Sequence, residues 1–257
     1  ALPIALSSML QQLFNAMDTS VVGRFADANA LAAVGTNGEI VALLVTVSSG
    51  LAVGANVWAA HCIGEEHPQN IPPILHTALL LAGVLGLGGA LAGQWAAAPL
   101  LRLLNTPETI LPLAVLYLRI YFAGYPFLLV YDFGSALLRA KGDSRRPFAA
   151  LAASGALNVA LNLFFVLICG LGVAGVALAT GLSTAVSAGL VLRWLAKEQG
   201  TFRFSFRALR LDAASLRRIL RVGIPSAVQG AVFCFANLFV QADVNRFGAA
   251  AIAGSTI

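Results

Sequence analysis

The chain has 257 residues, of which 59% are hydrophobic and 11% are charged, and its formal net charge is +5. Soluble domains carry about 25% charged residues, so this composition excludes an ordinary soluble domain and predicts an integral membrane protein. The basic excess is typical of cytoplasmic loops in membrane proteins, so we do not interpret it as a nucleic-acid interface. The three cysteines are spread along the chain without a CxxC pair and predict neither disulfides nor a metal site.

Seven apolar stretches are each long enough to cross a bilayer, which takes about 20 residues in a helix. The predicted spans are 2–23, 32–59, 73–98, 109–137, 147–169, 173–195 and 219–244, and 250–257 has the composition of an eighth. Pro112 and Pro126 fall inside the fourth predicted span and predict a kink or hinge there. Residues 198–218 form the longest polar segment. Phe202, Phe204 and Phe206 alternate there with polar residues, after which the segment turns helical with Leu211, Leu216 and Ile219. We expect it to be a cytoplasmic linker, either resting on anionic headgroups or acting as a plain basic tether.

The seventh span repeats the beginning of the first. Leu2-Pro3-Ile4, Asn15 and Arg24-Phe25 recur as Ile224-Pro225-Ser226, Asn237 and Arg246-Phe247. Two six-helix repeats in series are a common transporter architecture. We therefore predict an all-α integral membrane fold. It comprises a six-helix transmembrane bundle (1–197), an interlobe linker (198–218) and the first one or two helices of a second, incomplete parallel repeat (219–257).

Basic residues are distributed unequally between the two sides of the membrane. The loops after the first, third and fifth spans carry only Arg24 and Arg102, whereas the loops after the even spans and their flanks carry twelve Lys and Arg residues. Since cytoplasmic loops are enriched in Lys and Arg, this bias predicts a multi-pass protein with a cytoplasmic N-terminus.

Three predicted spans each carry polar residues at spacings of three and four, which place them on one helix face. They are Ser8, Gln11, Asn15 and Asp18 on the first span, Ser154, Asn158 and Asn162 on the fifth, and Thr180, Ser183, Thr184 and Ser187 on the sixth. Small polar residues also join helices in membranes, and the Ser/Thr set taken alone favours that role. A carboxylate together with several amides favours a water-filled ion or substrate pocket.

Asp18 is the strongest single candidate, because a carboxylate at membrane depth is costly and is usually functional. The alternative is that it lies near the headgroups, paired with Arg24 or capping its helix. Glu39 and Asp132 could line a cleft or lie in headgroups, and Arg119 could reach the interface or pair with a carboxylate. Tyr121, one of four tyrosines on the fourth span, could belong to an aromatic wall for an organic cation or simply pack.

Several stretches, in order and at the right spacing over nearly the whole chain, resemble the MATE family of multidrug and toxic compound extrusion transporters. The matching stretches are Leu13–Asp18, Val22–Phe25, Leu31–Gly35, Gly50–Asn56, Leu137–Pro147, Leu157–Asn162 and Gly172–Thr180. The resemblance is strongest to the bacterial drug/sodium or drug/proton antiporters. It implies two six-helix lobes, alternating access, and efflux of cationic or amphipathic drugs from a bacterial inner membrane in exchange for H⁺ or Na⁺.

The resemblance also implies particular residues. Asp18, Asn158, Asn162 and Thr180 match the cation site of the first lobe, and Pro3 matches a proline linked to bending of the first helix. Gln11, Asn15, Glu39, Tyr121 and Asp132 are candidates for a polar lining or substrate cleft. Many relatives have an acid at the position of Asn162, so the site here would hold one carboxylate, which leaves H⁺ and Na⁺ both open.

Other functions fit the sequence less well. A lipid-intermediate flippase of the same superfamily would need several basic residues in its cleft, and Arg119 is the one candidate. A membrane-embedded enzyme would need clustered His, Asp or Cys, but the three histidines lie near loops, so we predict no catalysis and no cofactor beyond the coupling ion. The chain could also be a truncated half-transporter without activity. The full-length protein is expected to be a monomer.

Overall fold

The computed structural model describes residues 28–248 together with Leu10, Ser20, Val21, Gly23, Arg24, Ile252 and Gly254. Within these residues, six helices are long and apolar enough to cross a membrane. They are α1 (Ala28–Gly64), α2 (Ile71–Leu103), α3 (Leu111–Ala140), α4 (Arg145–Leu163), α5 (Gly172–Lys197) and α6 (Ala213–Asn245). A π-helical turn, Phe164–Ile168, continues α4. The all-α membrane fold is thereby confirmed, and α1 to α6 correspond to the second to seventh predicted spans.

Two helix boundaries differ from the sequence prediction for identifiable reasons. Helix α6 begins at Ala213, inside the segment expected to be linker, because the Asp212 carboxylate accepts a hydrogen bond of 2.7 Å from the Ser215 N–H and caps the helix. Pro112 does not interrupt the fourth span. It occupies the first turn of α3, where a missing N–H costs nothing, so the predicted kink at this residue was wrong.

Helix α3 is the centre of the bundle and packs against α1, α2 and α5. Two clusters of buried apolar side chains lie along it, one around Leu118 near its beginning and one around Leu129 and Phe133 near its end. Two amides join α3 to α1 across these clusters. The Asn37 Nδ2 donates to the Ala114 carbonyl at 3.1 Å, and the Asn56 Nδ2 donates to the Ala136 carbonyl at 2.7 Å.

Glycines bring α1 and α6 into backbone contact. A Cβ added to Gly50 would lie 2.5 Å from the Ala227 Cα, and one added to Gly223 would lie 2.7 Å from the Leu51 carbonyl oxygen. Gly54 faces the Ile219 carbonyl in the same way. Small residues four apart are a common way for membrane helices to approach closely, and here they join the bundle to its last described helix.

The loop between α3 and α4 is tied to the end of α5 by charge. Glu198 forms ion pairs with both Lys141 and Arg146, and Arg146 also contacts Asp143 at 3.1 Å. The Glu198 side chain is 9% exposed. Hydrogen bonds from Lys141 and Arg146 lower the pKa of Glu198 below its ordinary value, so this carboxylate stays ionised at neutral pH.

We expect Gly54→Ala to destabilise the protein, because its new methyl group would overlap the Ile219 backbone. Overpacking of this kind costs about 1–3 kcal/mol. Gly38→Ala is the matched control, since Gly38 lies on the same helix with no atom within 4 Å of an added Cβ. Thermal unfolding in detergent should show a lower midpoint for Gly54→Ala alone. Equal midpoints for the two variants would contradict the backbone contact.

Glu198→Gln should lower stability at pH 7 by about 1 kcal/mol, because Lys141 and Arg146 are 39% and 43% exposed and partly screened. This corresponds to about 2–4 °C in Tm. Because the folded-state pKa of Glu198 is lowered, its ion pairs stabilise the protein above the ordinary carboxyl pKa of about 4.3. That stabilisation is lost as the pH falls through the lowered value.

The Tm difference between wild type and Glu198→Gln should therefore close as the pH falls below about 4. Glu66→Gln serves as the control, because Glu66 is exposed and forms no ion pair within the described part of the chain. A pH-independent difference would contradict an electrostatic origin.

Candidate functional site

Helices α4 and α5 bring three of the predicted site residues into one hydrogen-bonded chain. The Asn162 Nδ2 donates to the Asn158 Oδ1 at 3.1 Å, and the Asn158 Nδ2 donates to the Thr180 Oγ1 at 3.3 Å. The Thr180 hydroxyl in turn donates to the Val176 carbonyl at 3.0 Å. The two asparagines are one turn apart on α4, which is why their amides meet.

The asparagine pair is buried in the lobe. Asn158 is 5% exposed and Asn162 is fully buried, which is unusual for amides and requires hydrogen-bonding partners. The π-helical turn begins two residues after Asn162. Such turns in α-helices are often found at functional sites, since the extra residue changes which side chains face a neighbour.

A small cavity between α3 and α5 adjoins the Thr180 end of this chain. Its volume is about 10 Å³, close to the minimum for one water molecule, and Tyr121, Tyr125, Thr180 and Thr184 contribute its polar groups. Hydroxyl and amide oxygens are suitable ligands for a hard cation such as Na⁺. The described part of the site supplies such oxygens but no carboxylate.

Four predicted site residues lie outside the described residues. They are the bend residue Pro3, the lining candidates Gln11 and Asn15, and the coupling carboxylate Asp18. Their relation to the asparagine pair therefore stays a prediction.

Asp132 takes part in a separate polar contact between α1 and α3. The Ser48 hydroxyl, fully buried, donates to the Asp132 Oδ2 at 2.5 Å. Along α3, Asp132 is eleven residues from Tyr121, or about 16 Å at 1.5 Å per residue. Glu39 is half-buried on α1 and forms no ion pair with any described residue. The structure thus places neither carboxylate in the asparagine–threonine chain.

Arg119 joins two helices, and the tyrosines of α3 are largely buried. The Arg119 Nε donates to the Gln94 carbonyl at 3.1 Å, and the Gln94 Nε2 donates back to the Arg119 carbonyl at 2.9 Å. Arg119 forms no ion pair among the described residues. Tyr117 and Tyr125 are each 7% exposed, and Tyr121 and Tyr125 line the small cavity, whereas Tyr117 does not.

Ser48 was missed by the sequence reasoning, although a signal for it exists. It lies eleven residues, about three turns, after Asn37, so the two polar side chains share a face of α1 that is turned towards α3. Small hydroxyl residues are common at membrane-helix contacts, so this spacing alone does not identify the partner carboxylate.

The model of the MatE family matches residues 3–164 of the chain. Among curated proteins, the probable multidrug resistance protein YpnP of Bacillus subtilis is 31% identical over 99% of this chain. The probable multidrug resistance protein YoeA of the same species is 30% identical over 98%. These matches cover 57% and 56% of the relatives, so the chain spans about half the length of the curated relatives it matches.

A solved structure of an inward-facing multidrug resistance transporter of the MOP superfamily has the same fold. It superposes with a TM-score of 0.86 at 26% identity, over 95% of this chain and 56% of that one.

Proposed function

This chain belongs to the MatE family, and on that premise we propose that it works as the first lobe and following helix of a multidrug efflux transporter. The transporter exports cationic or amphipathic drugs by alternating access, in exchange for H⁺ or Na⁺. The observation that carries the proposal is the match to relatives named multidrug resistance proteins over 98% of the chain or more. The N-terminus lies in the cytoplasm, in keeping with the unequal distribution of Lys and Arg.

The coupling-ion site in this proposal is built around the hydrogen-bonded chain of Asn162, Asn158 and Thr180, with Asp18 as its carboxylate. Amide and hydroxyl oxygens complete a Na⁺ shell or orient a protonated carboxyl group equally well, so this set is compatible with either ion. The resemblance implies an acid at the position of Asn162 in many relatives. With Asn162 there instead, the site holds the single carboxylate of Asp18 and takes up one positive charge. Drug and ion exchange because they stabilise different states of the same two-state protein.

Glu39, Gln11, Asn15 and Tyr121 are proposed as polar lining between the ion site and the drug cleft. Asp132 differs from them in that its carboxylate is engaged by Ser48. We therefore assign Asp132 primarily to the contact between α1 and α3.

The function is tested by ethidium efflux, using a cationic dye as the drug probe. Cells expressing the full-length transporter that contains this lobe should export ethidium, and Asp18→Asn should abolish export while the protein still inserts into the membrane at the wild-type level. Glu66→Gln, which removes an exposed loop carboxylate, should export normally. Wild-type export by Asp18→Asn at equal expression would reject the coupling role of Asp18.

The coupling ion is identified by imposing an H⁺ or a Na⁺ gradient separately on vesicles containing the protein. The gradient that alone drives ethidium uptake into inverted vesicles is the coupling gradient. Ethidium movement with neither gradient would contradict the antiport mechanism.

Thr180→Val should slow ion-driven ethidium transport about tenfold, because it keeps the shape of the side chain but leaves the Asn158 amide without its acceptor. Ser187→Ala is the matched control. Ser187 also lies on α5 and is buried, but its hydroxyl donates to the Thr184 carbonyl of its own helix. The transport rates of the two variants at equal expression provide the test, and equal rates would remove Thr180 from the site.

A further inference from the structure

The segment between α5 and α6, residues 198–212, is held against the bundle at several points. Phe202 and Phe204 are each 5% exposed, and the Phe204 N–H donates to the Leu195 carbonyl of α5 at 2.9 Å. At its beginning, Glu198 forms the ion pairs with Lys141 and Arg146. A plain tether would bury none of these groups. The interlobe segment is therefore an ordered part of the first lobe.

His76, on the second turn of α2, contacts the middle of the interlobe segment. Its ring is 5% exposed and stacks on Phe204 with 5.7 Å between ring centroids. The Nδ1 lies 2.7 Å from the Pro72 carbonyl, which can only accept, so Nδ1 carries the proton. The Nε2 is then the acceptor for the Ser205 N–H at 3.2 Å. One neutral tautomer satisfies both contacts.

Thr77, the next residue on α2, contacts the end of the same segment. Its hydroxyl accepts from the Asp212 N–H at 2.9 Å and donates to the Arg210 carbonyl at 3.4 Å. Asp212 is also the residue whose carboxylate caps α6. Thr77 thus holds the N-cap residue of α6.

We propose that His76 and Thr77 are positioning residues for transport, which fix the interlobe segment and the start of α6 to the first lobe. This rests on the proposed transport function. Neither residue touches drug or ion. The α6 backbone also contacts α1 at Gly50 and Gly54, which adds to the attachment of this helix to the first lobe.

Trypsin cleavage tests whether the segment is held, using the exposed Arg203, Arg207 and Arg210 as native cleavage sites. In inverted membrane vesicles, where the cytoplasmic side is accessible, wild type should be cleaved slowly. His76→Ala and Thr77→Val should be cleaved about tenfold faster, as expected when hydrogen bonds that close a local opening are lost. Thr77→Val keeps the buried shape, so it remains informative if His76→Ala fails to fold.

His67→Ala is the control, because His67 is exposed in the loop before α2. It should be cleaved at the wild-type rate. His76→Gln keeps one donor and one acceptor on the side chain and should restore most of the protection. Rapid cleavage of wild type, or equal cleavage of wild type and Thr77→Val, would overturn the proposal.

Ethidium transport separates positioning from drug binding. Thr77→Val should lower the maximal rate of ethidium efflux severalfold with the KM for ethidium unchanged, and His76→Gln should recover most of the rate. A changed KM, or an unchanged maximal rate in a variant that trypsin cleaves rapidly, would overturn the positioning role. If wild type exports no ethidium, the proposed function fails, whereas the trypsin result still decides whether His76 and Thr77 hold the segment.

Discussion

One constraint governs the packing of the bundle, which is that helices already surrounded by lipid gain no hydrophobic free energy by associating. Association then has to come from close backbone contact and from hydrogen bonds across helices. Both appear at α1. Its glycines admit the backbone of α6 on one face, while Asn37, Ser48 and Asn56 bond to α3 on another. Helix α1 thereby connects the central helix of the lobe to the helix that follows the interlobe segment.

Hydrogen-bond partners also distinguish the polar residues that could serve in the ion site from those that only pack. On α5, Ser183, Thr184 and Ser187 donate to carbonyls of their own helix, so their hydroxyls are satisfied locally. Thr180 does this too, but its oxygen also accepts from Asn158 on α4. The bond between helices, and not the presence of a hydroxyl group, distinguishes Thr180 within the stripe.

Much of the fold could be predicted from the sequence, because apolar length is a strong signal for membrane helices. The meeting of Asn158 and Asn162 was also predictable, since a spacing of four places both amides on one face. The partner of Asp132 was not, because periodicity identifies a face of a helix but not the neighbour towards which that face is turned. The role of His76 was hidden for the same reason, as its partner Ser205 lies in a polar segment outside the predicted helices.

The predicted beginning of α6 was wrong because a single residue outweighed the average composition of the segment before it. The capping carboxylate of Asp212 starts α6 within a stretch that contains several arginines, and hydropathy alone places the beginning of the helix later. The spacing of Leu211, Leu216 and Ile219 indicated a helix in this stretch, but it did not identify Asp212 as the residue that caps it.

The contact between α1 and α6 also bears on how the protein is made. The groups that hold the first half of α6 in place all precede it in the chain. They are Thr77 on α2, Trp58, which lies against the Arg218 guanidinium, and the glycines of α1. As α6 leaves the ribosome, its binding surface on the earlier helices has already been synthesised. Docking of α6 can therefore accompany translation, because it does not require any helix that is synthesised later.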